Sequence, residues 1–167
     1  MNKLIGLISD THDNLEAIES AVNRFNEEQV GLVLHAGDFI SPFAVKALGA
    51  LEMPMIAVFG NNDGDLLQLA SVFNSYDHLS LRGIFTSLKE GGISIGLYHG
   101  TEPDLLEHLI ESGGFDVMVH GHTHIVEKYM HDETLVINPG EACGYISGKQ
   151  TVSLLDVQEK DAQIIYI

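Results

Sequence analysis

The sequence predicts an α/β fold that begins as a parallel βαβαβ unit and ends in an antiparallel, β-rich second half. Apolar runs of strand length alternate with amphipathic helical segments over residues 3–73. Later segments alternate in hydrophobicity on either side of turn residues, as hairpins do. The 167 residues, 45% of them hydrophobic, are enough for one sizeable domain and few for two, so we expect a single domain over 1–167.

The first half supplies three strands, each followed by a helix. The strands are predicted from three continuous apolar runs: KLIGLIS (3–9), VGLVLHAGD (30–38) and MPMIAVFG (53–60). Asp13 and Glu16 have the spacing of a capping box and would begin the first helix. Ser41 and Pro42 would begin the second, and a third helix is expected at about 63–73.

The second half is predicted to contain hairpins and one more helix. Residues 81–98 alternate around the turn sequence KEGG, and residues 101–104 open a helix that ends at Gly113-Gly114. The inward face of that helix is expected to include Leu105. Three further segments are assigned to one buried strand and two hairpins: FDVMVHG (115–121), HIVEKYMHDETLVIN (124–138) and TVSLLDVQEKDAQIIYI (151–167).

The charge of the chain limits its partners. Lys and Arg number 8 and Asp and Glu number 24, which gives a formal charge of −16. Such a surface repels nucleic acid and anionic membranes, so we do not expect a polymeric nucleic acid or a bilayer as partner unless a local positive site overrides the overall field. Cys143 is the single cysteine, which excludes a disulfide within the chain. The opening apolar run is too short for a signal peptide, so we expect a cytoplasmic protein, and apolar residues of the β-rich half could support a homo-oligomer.

Five predicted strands end in residues that can bind a metal ion. The strand ends read Ser9-Asp10-Thr11-His12, Gly37-Asp38, Gly60-Asn61-Asn62-Asp63, Tyr98-His99-Gly100 and Gly121-His122-Thr123-His124. In α/β sheets, ligands bind at the carboxyl ends of the strands. Carboxylate, amide and imidazole donors without cysteine suit Mn, Fe, Ni, Co or Zn. Seven such donors exceed the needs of one four-coordinate ion, whereas two ions sharing a bridging carboxylate would use them all.

Taken singly, these residues have ordinary structural explanations. Asp38 could cap the helix that follows it, Asn61 could stabilise a turn, and His99 could be a hydrogen-bonded core histidine. These explanations require five separate coincidences at one edge of one sheet. His122 and His124, two residues apart at the end of an apolar strand, are the hardest to explain by packing.

In order along the chain, these motifs resemble those of the calcineurin-like metallophosphoesterases. The matching patterns are D-x-H (Asp10, His12), G-D (Asp38), G-N-x-D (Asn61, Asp63), H-G (His99) and G-H-x-H (His122, His124). GNND and INPGEACGY (137–145) most resemble the small phosphodiesterase branch of archaea and bacteria. The resemblance implies a two-sheet sandwich flanked by helices.

The resemblance also implies two divalent metal ions per chain, with Mn²⁺ or Ni²⁺ favoured and Fe, Co or Zn compatible. It assigns Asp10, His12 and His124 to the first ion, Asn61, His99 and His122 to the second, and Asp38 to the bridge between them. A hydroxide held between the ions would attack the phosphorus of a phosphodiester. His120 does not match a ligand position, and we expect it to have an ordinary hydrogen-bond partner.

The sequence departs from the family pattern at Asn62, where most of the superfamily has a histidine. An amide donates a hydrogen bond but transfers no proton at neutral pH, so we expect diesters with good leaving groups to be preferred. Asp63 would either orient Asn62 or, as we favour, cap the next helix, and NPGE (138–141) is expected to be a plain turn. The alternatives are a catalytically weak or silent metal-binding scaffold for protein interactions, or a nuclease or monoesterase.

Overall fold

Two mixed sheets and four helices form in the computed structural model, which describes residues 4–167; Lys3, in the first predicted run, lies outside the described residues. The helices are α1 (Leu15–Glu27), α2 (Pro42–Leu48), α3 (Leu66–Phe73) and α4 (Pro103–Glu111). The strands are β1 (Leu4–Ile8), β2 (Leu32–His35), β3 (Met55–Ala57), β4 (Leu79–Leu81), β5 (Phe85–Glu90), β6 (Ile93–Tyr98), β7 (Val117–Val119), β8 (Val126–His131), β9 (Thr134–Pro139), β10 (Thr151–Asp156) and β11 (Asp161–Tyr166). None of these helices has the length and apolar character needed to span a bilayer.

The first sheet has the order β11-β10-β1-β2-β3-β4, and its last four strands are parallel. This parallel arrangement follows from the helical crossovers α1, α2 and α3, which return the chain to the same end of the sheet. In the register, Ile8 pairs with His35 and His35 with Ala57. The carboxyl ends of β1, β2 and β3 are therefore level, and the loops that follow them share one edge.

The second sheet has the order β5-β6-β7-β9-β8. Its outer pairs are antiparallel hairpins, whereas β6, β7 and β9 run parallel. The two sheets bury one core between them, and Leu7, Leu34, Leu97, Val119 and Ile137 of this core are all fully buried. The predicted α/β fold, a two-sheet sandwich flanked by helices, is confirmed.

The start of the first helix differs from the prediction. Asn14, not Asp13, is the N-cap of α1, and its side chain accepts a hydrogen bond from the backbone N–H of Ala17 at 3.2 Å. Asp13 has a φ of +55° and accepts a hydrogen bond from the hydroxyl of Ser41 at 2.7 Å instead. Ser41 does cap α2, as predicted, by accepting from the N–H of Phe43.

Leu105, which was expected to face inward, lies at the surface and is 43% exposed. Leu15 and Leu66, the first residues of α1 and α3, are 46% and 45% exposed. Leu105 lies on α4, which packs at the margin of the sandwich and fully buries only Ile110.

Candidate metal centre

The loops after β1, β2, β6 and β7 are tied together by backbone hydrogen bonds. The N–H of Asp10 donates to the carbonyl of Gly37 at 3.1 Å, and the N–H of Gly121 donates to the carbonyl of His99 at 2.9 Å. The N–H of His122 donates to Oδ2 of Asp10 at 3.1 Å, which joins the two sheets at this edge. The strand ends singled out in the sequence therefore converge on one small region.

Five of the seven predicted ligands have left-handed backbone conformations. The φ angles of Asp10, His12, Asp38, His122 and His124 are +53°, +41°, +61°, +71° and +61°. Such conformations are uncommon for residues with a Cβ and cost on the order of 1 kcal/mol or more each. They turn each side chain from its strand end toward the centre, so the strain is concentrated where the donors meet.

Glycine is required at two of these strand ends. A Cβ on Gly60 would collide with the carboxylate of Asp38, and a Cβ on Gly121 would collide with Ser9 and with Oδ2 of Asp10. Both glycines therefore allow the backbone to approach a buried carboxylate closely, as the sequence predicted.

A first cluster of donor atoms surrounds Oδ1 of Asp10. Nε2 of His124 lies 3.4 Å from this oxygen and Nε2 of His12 lies 3.7 Å from it. Asp10 is fully buried, and neither its Oδ1 nor Nε2 of His12 has a hydrogen-bond partner among residues 4–167. A buried carboxylate oxygen without a partner is costly, and a cation between these three atoms would satisfy all of them.

A second cluster surrounds Oδ2 of Asp38, which lies 3.4 Å from Nε2 of both His12 and His99. Nε2 of His99 is also 3.0 Å from Oδ1 of Asn61, while Nδ1 of His99 donates to the carbonyl of Ala36 at 2.8 Å. In neutral His99 the lone pair of Nε2 therefore faces two oxygens. Only a bound cation, either a proton or a metal ion, makes that arrangement attractive, so the donors fit a divalent ion.

The structure brings six of the seven predicted ligands into these two clusters. The seventh, His122, lies beside His99 with the ring centroids 5.1 Å apart and the rings nearly perpendicular. Its side chain is half-buried. His120, in contrast, has the ordinary partners predicted for it, because its Nε2 lies 3.2 Å from a carboxylate oxygen of Glu127.

The pKa values of these groups reflect their mutual contacts. Burial alone would raise the pKa of Asp38, but the contact with His99 and the hydrogen bonds from Asn62 hold it well below its usual range. For Asp10, burial is likewise outweighed, chiefly by the contact with His12, and the pKa falls. Two carboxylates that are at most 1% exposed are thus ionised at neutral pH, which gives the centre a buried negative charge.

Asn62 contacts the proposed bridging carboxylate directly. Its side-chain Nδ2 donates to Oδ2 of Asp38 at 2.8 Å, and its backbone N–H donates to Oδ1 of the same residue at 2.8 Å. Asn62 is otherwise exposed. It therefore lies at the open side of the centre, where a substrate would approach.

Asp63 has a different role from the one predicted. Asp65, not Asp63, caps α3, by accepting from the N–H of Gln68 at 2.9 Å. The carboxylate of Asp63 instead accepts hydrogen bonds from four backbone N–H groups, those of Asp38, Phe39, Ile40 and Gly60, at 3.2, 2.6, 2.9 and 2.7 Å. It fixes the loop that carries Asp38 and does not orient the Asn62 side chain.

Glu141 is a site residue that the sequence reasoning missed, since NPGE was expected to be a plain turn. Its carboxylate is fully buried and accepts a hydrogen bond from Nδ1 of His124 at 2.7 Å. Backbone N–H groups of Ile146 and Ser147 also donate to it. Burial alone would raise the pKa of Glu141, but the hydrogen bond from His124 and those from Ser147 lower it to about 2. The available signal was an acidic residue three positions after the segment HIVEKYMHDETLVIN (124–138), which was assigned to a hairpin.

Comparison with known proteins agrees with this geometry. Residues 4–160 match the calcineurin-like phosphoesterase superfamily domain. The chain is 39% identical to phosphodiesterase MJ0936 of Methanocaldococcus jannaschii over 98% of both sequences. It is 32% identical to a probable metallophosphoesterase of Methanothermobacter thermautotrophicus, over 97% of this chain and 91% of that one.

A solved structure of an archaeal phosphodiesterase superimposes with a TM-score of 0.92 at 38% identity, covering 98% of this chain and 99% of the other. The similarity extends over the whole length of both proteins and includes all the strand ends that form the centre. The chain therefore belongs to the calcineurin-like phosphoesterase superfamily.

Proposed function

We propose that this protein is a phosphodiesterase that uses two divalent metal ions. The observation that carries the proposal is the convergence of two buried, ionised carboxylates, Asp10 and Asp38, with the Nε2 atoms of three histidines. The diesterase activity named for the relative that is 39% identical over the whole chain supports the choice of substrate.

The first ion would be held by Asp10, His12 and His124, the second by Asn61, His99 and His122, and both by Asp38. Two groups of donor atoms, those of Asp10, His12 and His124 and those of Asp10, Asp38 and His99, support part of this assignment because the atoms within each group lie within 4.8 Å of one another. Asn61 is supported by its contact with His99, and His122 by its position beside the same ring. The mixed oxygen and nitrogen donors suit Mn²⁺ or Ni²⁺, and also Fe, Co or Zn.

When bound, a pair of divalent ions supplies a water activated near neutral pH and positive charge for the phosphoryl oxygens. The chain's own residues prepare the donors. Hydrogen bonds from Nδ1 of His99 to the carbonyl of Ala36 and from Nδ1 of His124 to Glu141 leave each Nε2 free to bind. This preparation fixes the tautomer and the ring orientation before any ion arrives.

Asn62 is the proposed substrate-contacting group. Its amide can donate a hydrogen bond to an ester oxygen but holds no proton that it could transfer at neutral pH. A general acid typically accelerates a reaction by about 10²–10⁴-fold, so without one the hydrolysis of esters with poor leaving groups is slowed the most. The protein should therefore act on small phosphodiesters whose leaving group departs unaided, rather than on monoesters. Polymeric nucleic acid is not expected as a substrate, because the net charge of −16 repels it.

The proposal is tested by hydrolysis of bis-p-nitrophenyl phosphate. Metal-stripped protein is assayed alone and after addition of Mn²⁺, Ni²⁺, Co²⁺, Zn²⁺ or Mg²⁺, together with His99→Ala, Asp38→Ala and, as a matched control, His108→Ala on the exposed face of α4. We expect metal-dependent turnover that His99→Ala and Asp38→Ala abolish and His108→Ala retains. Tight metal binding without turnover of this activated diester would contradict the enzyme and favour the metal-binding scaffold.

A further inference from the structure

A hollow of about 330 Å³ opens directly beside His122, between α4 and β8. Pro103, Leu106 and Ile110 of α4 form one wall and Tyr129 of β8 forms part of the other. The hollow reaches the loops that carry the candidate ligands, because Gly100, His122 and Thr123 lie on its border. A molecule bound at the centre therefore has an adjoining, largely apolar space into which one of its groups can extend.

Two carboxylates, those of Glu107 and Glu111 one turn apart on α4, line this hollow, and the imidazoles of His122 and His131 also border it. Tyr129 is 45% exposed, which leaves much of its ring uncovered. An anionic group entering here would meet two carboxylates, whereas an apolar group would lose water-exposed surface against Leu106 and Ile110. An aromatic group could also pack against the ring of Tyr129.

We propose that this hollow binds the second ester group of the phosphodiester substrate, the one that is not the leaving group, and selects an uncharged aromatic group there. The inference rests on the proposed function, because it places the phosphate beside His122. It also provides a second reason for diesters to be preferred. A phosphomonoester has no second ester group, so it cannot gain binding free energy from contacts with the hollow.

A second hollow, beside His124, does not impose the same selection by charge. It has a volume of about 370 Å³ and combines apolar residues such as Ile125 and Ile164 with Lys149 and Ser147, and no carboxylate of residues 4–167 lines it. A lysine and a hydroxyl tolerate a polar or anionic group. The acidic, apolar hollow beside His122 is therefore the one that discriminates between ester groups by charge.

The test uses three p-nitrophenyl phosphodiesters that share one leaving group and differ in the second ester: phenyl, methyl and 2-carboxyethyl. Because the bond that breaks is the same, differences in kcat/KM report the second ester group. We expect the phenyl diester to exceed the methyl diester by about tenfold or more, mainly through KM, since burial of an aromatic ring is worth at least that factor. The carboxyethyl diester should fall below both.

Variants locate the effect. Leu106→Trp fills the hollow and should bring the ratio of phenyl to methyl kcat/KM toward one, whereas Leu105→Trp, on the exposed side of the same helix, should keep the wild-type ratio. Tyr129 occupies an exposed strand position, so Tyr129→Ala removes part of one wall of the hollow without changing the core. This variant should also lower the ratio of phenyl to methyl kcat/KM. Glu107→Lys should raise kcat/KM for the carboxyethyl diester. Wild-type phenyl and methyl diesters turned over equally well would overturn the inference while leaving the proposed function intact.

A binding measurement decides the matter if wild-type protein hydrolyses none of the three diesters, which would be a failure of the proposed function. Diphenyl phosphate is titrated into the Zn²⁺-loaded protein and the methyl resonances of Leu106 and Ile110 are followed by NMR, with dimethyl phosphate as the control. We expect shifts of both residues with diphenyl phosphate alone. Shifts confined to residues outside the hollow would overturn the inference.

Discussion

Nδ1 of His124 and the carboxylate of Glu141 form a hydrogen bond of 2.7 Å inside the candidate metal centre. The pairing leaves Nε2 of His124 directed at Oδ1 of Asp10, 3.4 Å away. Glu141 is itself held by backbone N–H groups of Ile146 and Ser147, and the N–H of the next residue, Ala142, donates to the carbonyl of Ser9 at 3.0 Å. A carboxylate fixed in this way sets the orientation of the proposed ligand.

Glu141→Gln should weaken metal binding by about 10–100-fold, because the amide no longer holds the imidazole in one tautomer. The measurement is a calorimetric titration of metal-stripped protein with Mn²⁺. Glu127→Gln is the matched control, since Glu127 faces His120, a histidine that is not a proposed ligand, at 3.2 Å. Affinities within twofold of wild type for Glu141→Gln would refute the orienting role.

Asn62→His should raise kcat on diesters with poor leaving groups by about 10²-fold, because it supplies a proton donor at the open side of the centre. Turnover of p-nitrophenyl esters, whose leaving group departs unaided, should change much less. The measurement compares bis-p-nitrophenyl phosphate with diphenyl phosphate in wild-type and variant protein. An equal change on both substrates would count against the assigned role of Asn62.

Asp63→Ala should lower the free energy of unfolding by about 2–4 kcal/mol, because several buried N–H donors of the loop that carries Asp38 would lose their hydrogen-bond acceptor. Asp65→Ala removes only a helix cap and should cost about 1 kcal/mol. Urea denaturation of both metal-stripped variants gives the comparison. A loss for Asp63→Ala no larger than that for Asp65→Ala would contradict the proposed role of Asp63 in fixing this loop.

His35 should make stability depend on pH. Burial lowers its pKa to about 3, and its Nδ1 accepts a hydrogen bond from the N–H of Gly37 at 3.0 Å, so the folded protein keeps it neutral. Below the unfolded pKa of about 6.5 only the unfolded chain takes up this proton, and the free energy of unfolding falls by up to ~1.4 kcal/mol per pH unit.

His35→Asn removes this titration, so its stability should fall less steeply than that of wild type between pH 6 and pH 4. Urea midpoints of the metal-stripped proteins across that range provide the measurement. Parallel curves for the two proteins would show that His35 is protonated in the folded state or does not titrate in either state.

The sequence predicted the strands and the residues at their ends because both signals are local. Continuous apolar runs marked β1, β2 and β3, and polar residues marked the end of each, beside glycine after β2 and β3. The parallel register, in which Ile8, His35 and Ala57 are level, then brings these ends together without further information. This is why candidate donors could be found at the strand ends before the fold was known, whereas their assignment to two ions is what the family resemblance implies.

What the sequence did not predict depends on distant contacts or on small geometric differences. Glu141 meets His124 only because the chain after β9 crosses β1, which no periodicity encodes. β4 is three residues long and, unlike the equally short β3 and β7, does not lie within a longer apolar run that would have marked it. Asp13 and Asn14 are both good N-caps, and the contact of Asp13 with Ser41 decides between them.

The central claim is that two ions act together in one centre, and the most direct measurement is the stoichiometry of activation. Metal-stripped protein is titrated with Mn²⁺ while bound metal and hydrolysis of bis-p-nitrophenyl phosphate are followed in the same samples. The account predicts two ions per chain and turnover that rises fully only as the second ion binds. Saturation of both signals at one ion per chain would contradict it.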